Sequence, residues 1–500
     1  MRIKEKRFAL PIALTSGQKI INFLTDAIID SCYFANNDFD RLPRRYRTIC
    51  TDFIKGYKQE FSNGNMVKII RASMAVPFAF TPVLINDNVY VDGGMCDNLP
   101  ISTAISMGAD YIIAVNAKPG LRPKEQLNDP LDYLDQVFSI GLLQQAHLLN
   151  DTTSIIVTPD LGDHLSTDFS DIHKLIRAGE NAILPYIKEI KNELQCLIFS
   201  RSRLFAPTKI YVNGLPDFST DSLKIASIFA PEMAVPEYRL QNIVDSLYLT
   251  GNFKWVELNI HNPGNGTEFS FEFSVTETLK TVKFINNSLF PKDSLIKLVD
   301  GILNQPINYL ILHSRLDSVL RKYKEKGYEY ADIDSIKINV HGDCMVYLNE
   351  GIIKKIEVQG NQTSKRHIVL REFPLKEGNV FSKRRSIVGI ENIYATGFFE
   401  NIYLAPSKFQ GGIKLTLFVV EKGFDIIQIG ARYDNVREGE GYLRYIVDNI
   451  FGLGYNFFTH LQYGAKREKY YLGLAGNRFI NTYLTLKLKT YYLKDKLISD

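Results

Sequence analysis

The residues best placed to do chemistry lie between Arg71 and Pro100, in the run RASMAVPFAFTPVLINDNVYVDGGMCDNLP. Two prolines, Pro77 and Pro82, lead into a short predicted β-hairpin. Its second strand, Val89-Tyr90-Val91, stops at Asp92-Gly93-Gly94. A carboxylate on a strand end, with two glycines behind it, can point into a cleft while the backbone turns sharply away. That is where a general base fits. Taken alone, Asp-Gly-Gly is also a common turn. Asn98 and Pro100 follow at the start of a predicted helix, where they read as helix-start geometry.

The residues around that turn decide between the two readings. Ala72-Ser73-Met74-Ala75-Val76-Pro77, Phe80 and Pro82 precede the strand, and Asp92-Gly93-Gly94, Asn98 and Pro100 close it. In order and spacing this resembles the patatin-like family of lipid acyl hydrolases. The resemblance implies an α/β sandwich with a central sheet, and a Ser-Asp dyad in which the aspartate is the base and no histidine takes part. It assigns that base to Asp92, with Gly93 and Gly94 as structural partners that allow close approach. Thr51, Asp52 and Gly56 fit a further segment of the same family, on a strand predicted from Tyr46 to Asp52. The substrate it implies is a lipid or phospholipid.

The family's nucleophile sits in G-x-S-x-G on a strand-to-helix elbow, behind a glycine-rich oxyanion loop. No G-x-S-x-G occurs in the 500 residues. Ser16 lies in Thr-Ser-Gly-Gln and Ser73 in Ala-Ser-Met-Ala. The basic Arg2, Lys4, Lys6 and Arg7 before Phe8 to Leu14 look superficially like a signal peptide. The segment is short, holds Pro11 and has no evident cleavage site. Leu10 to Gln18 instead resembles a segment from inside the patatin domain, downstream of the nucleophile. The expectation is therefore a chain that begins partway through its first domain and is inactive by itself.

Composition excludes several classes. A net charge of +4, from 59 basic and 55 acidic residues, gives no argument for a nucleic-acid partner. The five cysteines, Cys32, Cys50, Cys96, Cys196 and Cys344, are scattered and odd in number, which indicates no disulfide framework and no zinc ribbon. No H-E-x-x-H or similar cluster occurs among the eight histidines, so no metal and no cofactor is expected. No apolar run reaches the roughly 18 residues of a membrane-spanning helix.

The elements that must position Asp92 alternate between strand and helix over residues 1–204. Ile101 to Met107 reads as a helix closed by Gly108. Tyr111 to Asn116 reads as a strand buried on both faces. Helical spacing from Ile172 to Ile190 predicts a closing helix, with His173 and Lys174 on its solvated face.

From Lys209 a repeat appears. Short strands open at Lys209, Lys280 and Ile353-Lys354, in steps of 71 and 74 from Lys209 to Lys280 to Lys354. A helical pair follows each, ending at glycine and an aromatic: Gly251 with Phe253, Gly327 with Tyr328, Gly397 with Phe398. Alternating strands close the units through Phe269, Phe271, Phe273 and Val275, through Ile336, Ile338 and Val340, and through Leu415, Leu417 and Val419. A tandem β-α-α-β-β unit of this kind resembles the POTRA modules of outer-membrane assembly and transport proteins. The expected borders are 205–278, 279–350 and 351–422. The resemblance implies a periplasmic location for these modules and, at their edges, extended peptides as partners.

After Gly423 the alternation lengthens. Ile427, Ile429, Ala431 and Tyr433 share one face, with Gln428 and Arg432 opposite. Gly454 to Gly464, Lys469 to Gly476 and Leu484 to Lys489 continue it. Strands with one apolar face are what a membrane barrel requires. A soluble sheet also alternates, but placement after POTRA-like units favours a surface-antigen-type outer-membrane barrel over 423–500. Asn449 to Tyr455 resembles an early turn of such a barrel. Only about four strands fit before Asp500 and a barrel needs about eight, so a chain cut at this end too is expected.

The fold class expected is multidomain: an incomplete α/β patatin-like domain, three POTRA-like modules and the start of an antiparallel transmembrane barrel. The expected function is lipid acyl-ester hydrolysis at the bacterial outer membrane. The alternative is an outer-membrane protein translocation or assembly factor carrying a non-catalytic patatin remnant.

Overall fold

In the computed structural model the described residues are 2–495 apart from 5–6, 10–11, 118–120, 123, 128–131, 134–135, 138–139, 141–153, 163, 165–169, 201–202, 216–233, 263–266, 436–437, 479–481 and 483. Leu10, Pro11 and Lys6 lie outside them. The chain divides into two compact units, one of residues 1–103, 121–149 and 352–500, the other of 104–120 and 150–351.

In the first unit, β1 (Ala13–Thr15) leads into α1 (Gln18–Phe34). A hairpin of β2 (Thr48–Asp52) and β3 (Lys58–Phe61) precedes α2 (Met66–Ser73). Then come β4 (Phe78–Phe80), β5 (Val83–Ile85) and β6 (Asn88–Asp92). The strands β3-β2-β6-β5 form an antiparallel sheet. The amphipathic α2 lays Met66, Ile69 and Ala72 on it, in a core shared with Cys50, Val83, Ile85 and Tyr90. Asn65 caps α2 by accepting from Lys68 N at 3.0 Å. The helix α3 (Ile101–Ser106) follows β6, and Gly108 takes a φ of +83° just beyond it.

In the second unit, β7 (Ile112–Val115) pairs in parallel with β8 (Ser154–Val157). The apolar run at 111–116 predicts a strand covered on both faces. The structure corrects this: Ile112 and Ala114 are buried, but Ile113 and Val115 are about half exposed. Among the described residues this sheet has two strands, and the face that carries Ile113 and Val115 is only partly covered. The predicted helix from Ile172 is two helices, α4 (Ile172–Ile183) and α5 (Ile187–Ser200), joined by a 3₁₀ turn at Leu184–Tyr186. Pro185, which cannot donate an amide, stands at that break.

Three modules follow, and the second and third show the full β-α-α-β-β order among the described residues. The first has β9 (Pro207–Asn213), α6 (Glu237–Tyr248), β10 (Phe253–His261) and β11 (Thr267–Val275). Its expected first helix falls in 216–233, outside the described residues. The second has β12 (Thr281–Ile285), α7 (Lys292–Val299), α8 (Tyr309–Glu325), β13 (Asp332–Ile338) and β14 (Asp343–Asn349). The third belongs to the first unit and has β15 (Ile353–Gln359), α9 (Arg366–Leu370), α10 (Lys383–Ala395), β16 (Phe399–Phe409) and β17 (Gly412–Glu421).

In every module the first strand runs parallel to the third and the second antiparallel to it. Parallel neighbours need a crossover, which the helices provide. The expected glycines Gly251, Gly327 and Gly397 end the second helix of each pair in the left-handed region. Each module also slips register at the start of its second strand, at 253/255, 333/335 and 399/401. Phe269, Phe271 and Phe273 are buried as the alternation predicts. In the second module the alternating set lies on an edge strand. Ile336 and Ile338 lie on the edge strand β13, and Val340 is 80% exposed in the following turn. The core side chains are Cys344, Val346 and Leu348 of the central strand β14. An edge strand buries less than the strand between two neighbours, so its alternation says little about the core.

A carboxylate at the end of the third strand recurs. Glu350 accepts from Ser288 N at 2.7 Å and Leu289 N at 3.0 Å, and also from the hydroxyls of Ser288 and Tyr323. Glu421 accepts from Thr363 N at 2.9 Å and Ser364 N at 2.7 Å. Each closes the loop after its module's first strand.

The C-terminal sheet is an antiparallel meander of β18 (Asp425–Asp434), β19 (Glu438–Ile450), β20 (Tyr455–Gly464), β21 (Arg467–Gly476) and β22 (Leu486–Asp495). These are five strands rather than about four, and Leu484 lies before the last of them. Arg2–Lys4 pairs with the β18 edge. The row Ile429, Leu443, Leu461, Tyr470 and Tyr492 crosses the sheet in register on one face. Ile429 is 79% exposed. The other face is polar: Arg432 Nε and Gln462 Nε2 each donate to Glu440 at 2.7 Å, and His460 stacks between Tyr442 and Tyr471.

Candidate functional site

The strand β6 delivers Asp92 to the end of the four-stranded sheet, opposite Cys50 of β2. Its backbone is held on both sides. Asp92 N donates to Ala75 O at 3.1 Å, and Thr51 Oγ1 donates to Asp92 O at 2.7 Å. Gly93 then starts a 3₁₀ turn that carries the chain away from the sheet.

The diglycine has two different reasons. A Cβ on Gly93 would stand 2.1 Å from Ile49 O, a backbone atom of β2. The turn therefore presses its backbone against the sheet, and only glycine fits. A Cβ on Gly94 would meet Asn98 Oδ1 at 2.9 Å and Asp92 Oδ1 at 3.0 Å, both side-chain atoms. Gly94 N donates to Asp92 Oδ1 at 2.8 Å, which orients the carboxylate. Among the described residues the other carboxylate oxygen has no hydrogen-bond partner. The half-buried carboxyl is pushed above the ordinary carboxylate range by burial, and the Gly94 amide opposes that shift.

The loop after the turn is clamped. Lys58 Nζ lies 2.9 Å from Asp97 Oδ2 and 2.6 Å from Ser102 Oγ. Thr103 Oγ1 donates to Glu60 at 2.9 Å. Asn98 stands beside Gly94, and Pro100 immediately precedes α3.

Neighbouring polar residues are structural. The buried Asp52 accepts from Ile54 N and Lys55 N, both at 3.0 Å, and closes the turn that Gly56 completes at φ +76°. Ser73 Oγ donates to Ile49 O at 2.6 Å. Among the described residues no group of three or more His, Cys, Asp or Glu side chains is arranged to hold a metal ion.

Arg71 opens the motif run, yet its type alone assigns it no role. It is fully buried on α2. Its Nη2 donates to Ser16 O at 2.9 Å and Thr81 O at 3.3 Å, and its guanidinium lies 4.7 Å over the Phe80 ring. Gly17 makes room for it, since a Cβ there would stand 2.5 Å from Arg71 Nε. The available signal was a charged residue inside an otherwise apolar helical face.

Residues 5–105 match the family model described as patatin-like phospholipase, and residues 351–422 match the POTRA model, described as surface antigen variable number repeat. The chain is 34% identical over 77 residues to an uncharacterized NTE family protein of Mycobacterium bovis, covering 15% of this chain and 21% of that one. It is 23% identical over 141 residues to the outer membrane protein assembly factor BamA of Neorickettsia risticii, covering 28% and 19%. The solved POTRA1-3 of the periplasmic domain of Omp85 from Anabaena aligns over 44% of this chain and 97% of that chain, at 17% identity and a TM-score of 0.33. The chain spans about a fifth of the length of these curated relatives. It is multidomain, with a patatin-like α/β region, POTRA-like modules and a C-terminal antiparallel sheet. The patatin-like match points to a lipid hydrolase family for the first region.

Proposed function

We propose that this chain supplies the base half of a patatin-like lipid acyl hydrolase, carried on POTRA-like modules at the bacterial outer membrane. In the reaction a serine hydroxyl attacks the ester carbonyl of a lipid or phospholipid. Asp92 takes the hydroxyl proton and passes it to the departing alcohol oxygen as the ester C–O bond breaks, leaving an acyl-serine. Water, giving its proton to Asp92, then cleaves that acyl-serine and releases the fatty acid, and the proton returns to the serine. With no histidine between them, the hydroxyl must come within hydrogen-bond reach of the carboxylate itself.

The observation that carries this reading is the Asp92 carboxyl: one oxygen is oriented by Gly94 N, and the other accepts no hydrogen bond among the described residues. Burial disfavours its charged form, which makes it a better proton acceptor than an ordinary surface carboxylate. The 500 residues hold no G-x-S-x-G, so the chain by itself is expected to turn over no ester.

The test has two arms. Purified 1–500 is assayed with p-nitrophenyl esters, and no turnover above the blank is expected. A strand–elbow–helix segment bearing G-x-S-x-G is then fused ahead of residue 12. The fusion is expected to gain esterase activity that Asp92→Asn lowers by about a hundredfold or more. Activity in 1–500 alone, or a fusion indifferent to Asp92→Asn, overturns the assignment.

A second reading is an outer-membrane translocation or assembly factor with a non-catalytic patatin-like remnant. It is favoured by the two-faced C-terminal sheet, whose exposed apolar face suits lipid and whose polar face suits a lumen. In that case the modules lie in the periplasm, and extended peptides add to their edges.

A further inference from the structure

The outward edge of β16 is occupied. In the antiparallel pair β16–β17, alternate residues turn their backbone groups away from the partner. Gln18 Nε2 donates to Ile402 O at 3.2 Å, and Gln18 Oε1 accepts from Ile402 N at 2.9 Å. Two residues on, Asn65 Nδ2 donates to Leu404 O at 3.4 Å. Two further on, Asn37 Nδ2 donates to Pro406 O at 3.3 Å. Pro406 has no amide to satisfy. Three side-chain amides, from the start of α1, the turn after it and the cap of α2, thus stand where the peptide groups of a neighbouring strand would stand.

An apolar seam lies beneath them, with Ile21, Val67 and Tyr403 buried together. Lys68 covers the rings of Tyr403 and Phe418, at 5.7 and 5.6 Å. At the rim, Lys383 Nζ lies 3.2 Å from Asp30.

The contact reaches the candidate base through α2. Asn401 Nδ2 donates to Ser16 O at 2.9 Å, the same carbonyl that Arg71 Nη2 holds at 2.9 Å. One face of α2 meets Tyr403 through Val67; the other packs on the sheet that carries Asp92. Just past its end, Ala75 O takes the Asp92 amide.

We propose that the β16 edge of the POTRA module is the seat of the patatin-like region. Through it, Gln18, Asn65 and Asn401 act as positioning residues for α2 and the Asp92 turn. While Gln18 holds Ile402, no extended peptide adds to this edge. The proposal rests on the reading of Asp92 as the base only for its catalytic consequence.

The test is hydrogen exchange on the full chain 1–500. Gln18→Ala is expected to raise exchange about tenfold in segment 399–406 and also in segments 73–80 and 88–96. Segments 383–395 and 412–421, inside the module, stay protected. Gln18→Glu keeps an acceptor for Ile402 N but loses the donor for Ile402 O, and is not expected to rescue. If Gln18→Ala unfolds the module, Asn401→Ala serves instead. It leaves the amide row intact and is expected to raise exchange at 73–80 and 88–96. It also moves the Asp92 carboxyl titration, followed by carbon NMR, back toward the ordinary range. Unchanged exchange at 73–80 and 88–96, whatever happens at 399–406, overturns the proposal. These readouts need no hydrolysis, so failure of the esterase test leaves them standing.

Discussion

Gly93→Ala isolates the close approach that lets β6 end in a carboxylate. The added Cβ would lie 2.1 Å from Ile49 O, 2.7 Å from Ile49 C and 3.3 Å from Cys50 N. All three atoms are backbone, and β2 is held between β3 and β6. No rotamer change relieves the clash, so the turn and the strand must separate by more than about 1 Å. Overpacking a well-filled site costs about 1–3 kcal/mol, and a backbone-to-backbone clash belongs at the top of that range. At about 3 kcal/mol the local opening constant rises roughly a hundredfold. A single unfolding free energy is not defined for a multidomain chain, so the assay is hydrogen exchange at Thr48–Asp52 and Asn88–Asp92. Gly94→Ala is the internal control. Its Cβ meets only the side-chain oxygens of Asn98 and Asp92, which can rotate. It should cost less than about 1 kcal/mol while disturbing the orientation of Asp92. If Gly93→Ala left exchange unchanged at Thr48–Asp52, the steric account of the diglycine would be refuted.

Other perturbations test other parts. The folded state raises the Asp92 carboxyl above its unfolded value, so it binds the proton more tightly than the unfolded chain does. Local stability from this group is greatest at low pH. It falls as pH rises from about 4 through the folded value, and Asp92→Asn should flatten the profile measured by exchange. Glu350→Ala removes the oxygen that takes Ser288 N, Leu289 N and Tyr323 OH, and the second oxygen that takes the Ser288 hydroxyl, and leaves these donors unpaired. A cost of about 2–4 kcal/mol in the second module is expected; a change under about 0.5 kcal/mol in its exchange would contradict the network. The Cys32 and Cys50 thiols are pushed up to about 12 by burial, and Cys344 to about 11, whereas Cys196 is exposed. Maleimide at pH 8 should therefore modify Cys196 in the native chain and reach Cys32, Cys50 and Cys344 only on unfolding, as read by peptide mass.

The local features were legible in the sequence because their causes are local. The position of Asp92 at a strand end follows from a β-rich run stopped by two glycines. The modules follow from a period near 70 residues, with a glycine at each helix end where a left-handed residue is needed. The two faces of the C-terminal sheet follow from strict alternation, which a one-residue slip would invert. Edges and coverage were not legible. Val340 continues the alternation of Ile336 and Ile338 in the sequence yet lies exposed in a turn, while Cys344, Val346 and Leu348 fill the module's core; only the order of strands in the sheet says which strand is central. Ile113 and Val115 look like core by type, but whether a second layer covers them depends on the rest of the fold. Arg71 is fully buried, although arginine is mostly a surface residue, because the Ser16 and Thr81 carbonyls and the Phe80 ring converge on it. The amide row on β16 joins Gln18 to Ile402, 384 residues apart. Asparagine and glutamine are ordinary surface residues until an unpaired strand edge is brought against them, and that meeting is a property of the tertiary structure alone.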